Sequence, residues 1–141
     1  MKKIAVVYWS GTGNTEAMAN AVAKGAGAAG ASVSTVSAEQ FNESSLDSLD
    51  AIAFGCPAMG CEALEDSVFE PMFQACKAKL AGKSIALFGS YGWGDGEWMR
   101  TWEDECTAAG AKLACPSVTC CEAPDDDGFA ACRALGEALA K

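Results

Sequence analysis

Five apolar runs alternate with stretches of helical spacing, and this alternation constrains the fold more than any other feature of the chain. The runs are KKIAVVYW from Lys2, ASVSTV from Ala31, DAIAFGCP from Asp50, KSIALFGSY from Lys83 and KLACPSVT from Lys112. Strand then helix, repeated, implies a parallel sheet with helices on both faces, because parallel neighbours need a crossover and the crossover helix covers the sheet. The central runs are continuously apolar rather than alternating, as strands buried on both sides are. Three helical stripes accompany them: Phe69, Met72, Phe73, Cys76 and Leu80; Trp98, Trp102, Cys106 and Ala109; and Phe129, Cys132, Gly136 and Leu139. The Ala-rich first helix should close near Gly30 and the fourth at Gly110, while AEQFNESSLDSL, ahead of the third strand, is poorly periodic and the weakest helix of the set. The expected fold class is α/β, a three-layer doubly wound sandwich, with residues 1–141 forming one domain.

Nineteen acidic against ten basic residues give a formal charge of -9. Nucleic acid and anionic membrane bind through Lys and Arg, so both are disfavoured as partners and basic-faced proteins are favoured. Half of the residues are hydrophobic and the mean hydropathy is +0.10, yet no apolar stretch approaches the ~20 residues that span a bilayer. The opening MKKIAVVYWSG turns to Gly and Ser too soon for a signal peptide, which points to a cytoplasmic protein. In that compartment the eight cysteines stay reduced, and none stands in a CxxC pair. The spacings Cys56 to Cys61 and Cys115 to Cys120 lack the further cysteine a ferredoxin-type cluster needs, so no metal is expected and most cysteines read as small buried hydrophobes. Cys120 and Cys121 are neighbouring thiols capable of oxidation, with nothing nearby that activates either.

In a doubly wound sheet the ligand sits beyond the carboxyl ends of the strands. The loops to read are SGTGNTE after the first run, GCPAMGCEALED after the third and GSYGWGDGEW after the fourth. The first has no Lys for a Walker A loop, and Glu16 stands where a dinucleotide fingerprint requires its third Gly. What remains is Ser10, Thr12, Asn14 and Thr15, hydroxyls and an amide at a helix N-terminus whose free N–H groups and dipole suit a phosphate monoester held without a cation.

Ser10, Gly11, Thr12, Gly13, Asn14 and Thr15 fit Ser/Thr-x-Thr-Gly-x-Thr, and with PAMGCE and GSYGWGDGEW the chain resembles the short-chain, clostridial-type flavodoxin family from Lys3 to the last helix. The resemblance implies strand order 2-1-3-4-5 and bound FMN at the switch between the first and third strands. It implies the phosphate on Ser10 to Thr15 with Trp9 beside it, and the ring between Met59 and Trp93. Glu62 would accept from flavin N3-H, and the amides around Gly92 and Gly94 would reach the pyrimidine carbonyls. Pro57, Ala58, Cys61, Ser90, Tyr91 and Cys121 complete the implied contacts. Gly60 would turn its peptide on reduction, so that its carbonyl accepts from N5-H of the semiquinone, a motion that a residue tolerant of positive φ makes at little cost. Three departures stand out: Cys61 after the mobile glycine, Pro57 in place of a ribityl-contacting Ser, and Cys120–Cys121–Glu122 where relatives often carry an Asn.

The implied function is a low-potential one-electron carrier working between semiquinone and hydroquinone in place of ferredoxin, a monomer and not an enzyme. A carboxylate about 10 Å from the ring, at an effective dielectric of ~20, opposes the extra charge by roughly 1.7 kcal/mol before screening. Glu62, Glu65, Asp66, Asp95 and Glu97 lie on or beside the loops and offer such charges. The alternative on the same fold, an FMN-dependent NAD(P)H or quinone reductase, would need a second nucleotide or quinone site, and no second motif is present. A response-regulator receiver would need an Asp at the end of the third strand, where Gly55 and Cys56 stand.

Overall fold

The computed structural model describes residues 2–11, 13–59, 63–92, 94 and 96–141. Strand β1 (Lys3–Tyr8) leads through α1 (Asn14–Ala28) to β2 (Ser32–Ser37), and a 3-10 segment (Glu43–Ser48) precedes β3 (Ala51–Gly55). There follow α2 (Phe69–Lys77), β4 (Ser84–Tyr91), α3 (Glu97–Ala108), β5 (Lys112–Leu113), β6 (Val118–Cys121) and α4 (Asp126–Ala140). All pairings are parallel, in the order β2-β1-β3-β4-β5, with β6 also on β4. The expected order is thus present, and the weakest expected helix is the 3-10 segment.

The period-two alternation of the strands builds two cores. Ala5, Val7, Ile52, Phe54, Ile85 and Leu87 face α2 and α3, whereas Ile4, Val6, Ala51, Ala53, Ala86 and Phe88 face α1 and α4. On the first side the rings of Phe54 and Phe73 meet edge to face at 5.2 Å, and those of Phe69 and Trp102 at 5.4 Å, the arrangement that the aromatic quadrupole favours. On the second side α1 and α4 touch backbone to backbone: a Cβ on Gly136 would lie 2.1 Å from the Val22 carbonyl oxygen. The helix ends fall as the sequence predicts, with Gly30 at φ 98° and Gly110 at φ 88°.

The last strand position departs from the expected single run. Ser84 and Ile85 pair with Lys112 and Leu113, and Phe88 to Tyr91 pair with Val118 to Cys121, so residues 114–117 stand opposite only Ala86 and Leu87. Pro116 in that stretch has no N–H to give the ladder, which confines it to an edge strand and opens the bulge.

Candidate functional site

The carboxyl ends of β1, β3, β4 and β6 converge where the chain leaves β1 for one face of the sheet and β3 for the other. Loops that diverge at such a switch point leave a crevice between them. Here it is a cavity of about 310 Å³, at the low end of the ~300–1,000 Å³ typical of small-molecule sites.

The loop after β1 supplies one end. Gly13 is the N-cap of α1 in the left-handed region, with φ 96°. Ser10 Oγ accepts from the N–H of Gly13 at 3.0 Å and of Glu16 at 3.2 Å, which leaves its own hydroxyl proton to donate outward. The first helical bond runs from Ala17 N–H to the Gly13 carbonyl at 3.0 Å. Helix geometry therefore leaves the amides of Asn14 and Thr15 without intrahelical acceptors at the positive end of the dipole. Thr15 is buried, and its hydroxyl lies 3.1 Å from that of buried Ser90. Tyr8 donates to a Glu16 carboxylate oxygen at 3.0 Å; burial, then this bond and the Glu16 charge, raise the Tyr8 pKa.

The loop after β3 supplies a wall. Cys56 N–H donates to the Phe88 carbonyl at 3.1 Å and Ala58 N–H to the Ser90 carbonyl at 2.9 Å, so the pairing with β4 outlasts β3 itself. Met59 N–H donates to the Ala63 carbonyl at 2.9 Å and ties the far side of the loop. A Cβ on Gly89 would meet the Cys56 carbonyl oxygen at 2.1 Å, so only glycine lets β4 pass this close. That same carbonyl accepts from the Trp98 indole at 3.2 Å. Burial pushes the Cys56 thiol up to about 12, and it stays protonated at physiological pH.

Glu65 has a different duty from the one its position suggests. It is 4% exposed, and its carboxylate accepts from the amides of Val68 and Phe69 at 2.8 Å, from the Ser67 amide at 3.0 Å and from the Ser67 hydroxyl. Val68, the N-cap of α2, has no side chain able to do this, so Glu65 caps the helix. Burial pushes its pKa up, but the bonds from Ser67, Phe69 and Val68 outweigh it and lower the value to about 2. The charge read as a free tuner of the cavity is therefore spent on α2, whereas Asp66 and Glu97 are exposed.

After β4, Ser90, Tyr91 and Gly92 line the cavity, with the Tyr91 ring tilted against Trp98 at 5.6 Å. Gly94, exposed with φ 90°, lies outside the lining. From the loop after β6 the lining residue is Glu122, the one described non-glycine at positive φ, 58°. Its N–H donates to the Tyr91 carbonyl at 2.7 Å. Cys121, one residue earlier, is exposed and borders a separate cavity with Cys120 and Asp125. The signal for Glu122 was its place after a strand end in EAPD, where a turn begins.

Of the expected site residues, the fold brings Trp9, Gly11, Asn14 and Thr15 together with Pro57, Ala58 and Met59 and with Ser90, Tyr91 and Gly92. Ser10 and Gly13 border an adjoining polar cleft that shares Trp9 and Gly11 with the cavity. Thr12, Gly60, Cys61, Glu62, Trp93 and Asp95 lie outside the described residues. The donor set fits a phosphate-bearing aromatic: hydroxyls and helix amides gather at one end, and a proline, a thioether and a phenol at the other.

Comparison with known proteins agrees with this chemistry. The pattern that defines the flavodoxin family matches residues 6–136. The flavodoxin of Megasphaera elsdenii is 50% identical over 138 residues, 98% of each chain, and that of Clostridium beijerinckii is 48% identical over 108 residues, covering 77% of this chain and 78% of that one. The solution structure of two-electron reduced M. elsdenii flavodoxin superposes with a TM-score of 0.89, covering 97% of this chain and 98% of the other. A flavodoxin from the domain Archaea, 29% identical, also gives 0.89 over 98% of this chain and 96% of its own. The chain belongs to the flavodoxin family.

Proposed function

We propose that this protein carries single electrons on FMN seated among Trp9–Thr15, Pro57–Met59 and Ser90–Gly94, at low potential, for redox enzymes with basic docking faces. Membership of the family makes it an FMN-binding electron-transfer protein rather than an enzyme. When bound, FMN supplies the redox chemistry on its ring. The chain's own residues bind and tune it. Ser10 and the amides of Asn14 and Thr15 hold the phosphate without a cation, so affinity rests on oriented dipoles rather than ion pairing. Met59 and Tyr91 offer soft and aromatic surface to the ring, and Gly60, Glu62 and Trp93 keep the roles that family resemblance implies.

The observation that supports this seat is the junction of an anion-ready helix end with an apolar slot in one crevice. Glu122 on the lining of the cavity opposes added electrons, and a net charge of -9 attracts basic partners. Among the described residues no helix is long and apolar enough to cross a membrane. The chain works as a monomeric single domain in the cytoplasm.

An anaerobic dithionite titration of the FMN-loaded protein tests this reading. Two separated one-electron steps are expected, both at low potential. A single two-electron step, or a protein that leaves micromolar FMN free, overturns it. Electron delivery to a basic acceptor should slow as salt rises, because screening weakens the steering.

A further inference from the structure

We propose that Glu65 is a positioning residue for the cofactor cavity, acting through Cys56 and the first turn of α2 to fix the Pro57–Met59 wall. The inference rests on the reading of that cavity as the FMN seat. Every polar group of Glu65 is engaged. Its carboxylate caps α2 through Ser67, Val68 and Phe69, its carbonyl accepts from Glu70 N–H at 2.9 Å, and its own N–H donates to Cys56 Sγ at 3.4 Å. Cys56 is equally committed: its N–H to Phe88, its carbonyl to Trp98, its thiol to Glu65 and, at 3.6 Å, to the Pro57 carbonyl. Phe69, the first residue of α2, is fully buried against Phe54, Phe73 and Trp102. The cavity wall is therefore linked to the buried aromatic core through the Cys56 thiol, the Glu65 N–H that it accepts from, and the Glu65 carboxylate that holds the first turn of α2.

A mere helix cap would end at α2 and leave the cavity indifferent to its loss. The two roles are separated by measuring FMN affinity and both one-electron potentials alongside thermal stability. Glu65→Ala and Cys56→Ala are each expected to weaken FMN binding about tenfold, which is ~1.4 kcal/mol, and to change the gap between the potentials. Glu65→Gln keeps one oxygen for Val68 and Phe69 but presents an NH₂ to Ser67, and should fall between them and the parent, at about threefold. It also serves if the alanine variant does not fold. The double variant Glu65→Gln with Cys56→Ala should lose less than the product of the single effects, because both act through one link. Leu80→Ala, buried beyond the far end of α2, is the control for lost stability alone.

The proposal is overturned if the Glu65 and Cys56 variants melt earlier yet keep FMN affinity and both potentials within twofold of the parent. It is equally overturned if Leu80→Ala weakens FMN as much as they do. Should the parent protein refuse FMN, the FMN seat itself is wrong and the positioning role falls with it.

Discussion

Thr15 Oγ1 and Ser90 Oγ stand 3.1 Å apart, and both residues are buried. One opens α1 and the other sits near the end of β4, so this pair fastens two walls of the cavity across the sheet. One hydroxyl must donate to the other, and the acceptor keeps a proton to give a ligand. Thr15→Val preserves shape and removes both functions. It is expected to destabilise the protein without FMN by about 1–3 kcal/mol, the cost of leaving the Ser90 hydroxyl unpaired, and to weaken FMN binding besides. Denaturant unfolding and a fluorescence titration with FMN check the two effects separately.

Gly136 gives a prediction in which two effects oppose. In an exposed helix Gly→Ala gains about 1 kcal/mol. Here the new methyl would sit 2.1 Å from the Val22 carbonyl oxygen, against backbone rather than a side chain able to turn away. Overpacking of this kind costs about 1–3 kcal/mol or more, so Gly136→Ala should lower the unfolding midpoint despite its better helix propensity. A raised midpoint would show that α1 and α4 separate readily.

Much of this was legible in the residues, for reasons that also mark where legibility ended. The β3 run AIAFG is buried throughout, and continuous apolar character announced it. The stripe of Trp98, Trp102 and Cys106 repeats at helical spacing because it packs one face of α3 on the core. The broken edge strand was hidden, because KLACPSVT reads as one run until the β4 register shows two extra residues around Pro116. The duty of Glu65 was hidden too, since a glutamate in an acidic loop looks solvated until Val68 is seen to lack any cap of its own. Gly60, Glu62 and Trp93 rest on family resemblance, whereas Thr15 with Ser90 needed the third dimension.

Glu122 holds φ at 58°, a conformation that costs an ordinary L-residue roughly 1–2 kcal/mol and Asn less. Glu122→Asn should therefore leave stability unchanged or raise it slightly. The same change removes a negative charge from the rim of the cavity, which should make both one-electron potentials of the FMN-loaded protein more positive. Redox titration at low and moderate salt reads the shift, and the difference should shrink as salt screens the exposed carboxylate.

Acid stability tests the capping role of Glu65 independently of any cofactor. Its pKa in the folded protein is lowered from an ordinary 4.5 to about 2, so the unfolded chain takes up the proton first as pH falls. The resulting stabilisation is fully present above pH 4.5 and is lost as pH drops from there through about 2. Near neutrality Glu65→Gln should cost about 2 kcal/mol, the scale of a lost cap with charge-assisted bonds. The gap between parent and variant should stay flat down to about pH 5 and close progressively below it. Denaturant unfolding of the two proteins without FMN across this range measures the gap directly. A difference that persists unchanged at the lowest pH would mean that the side chain acts through packing and not through its ionised carboxylate.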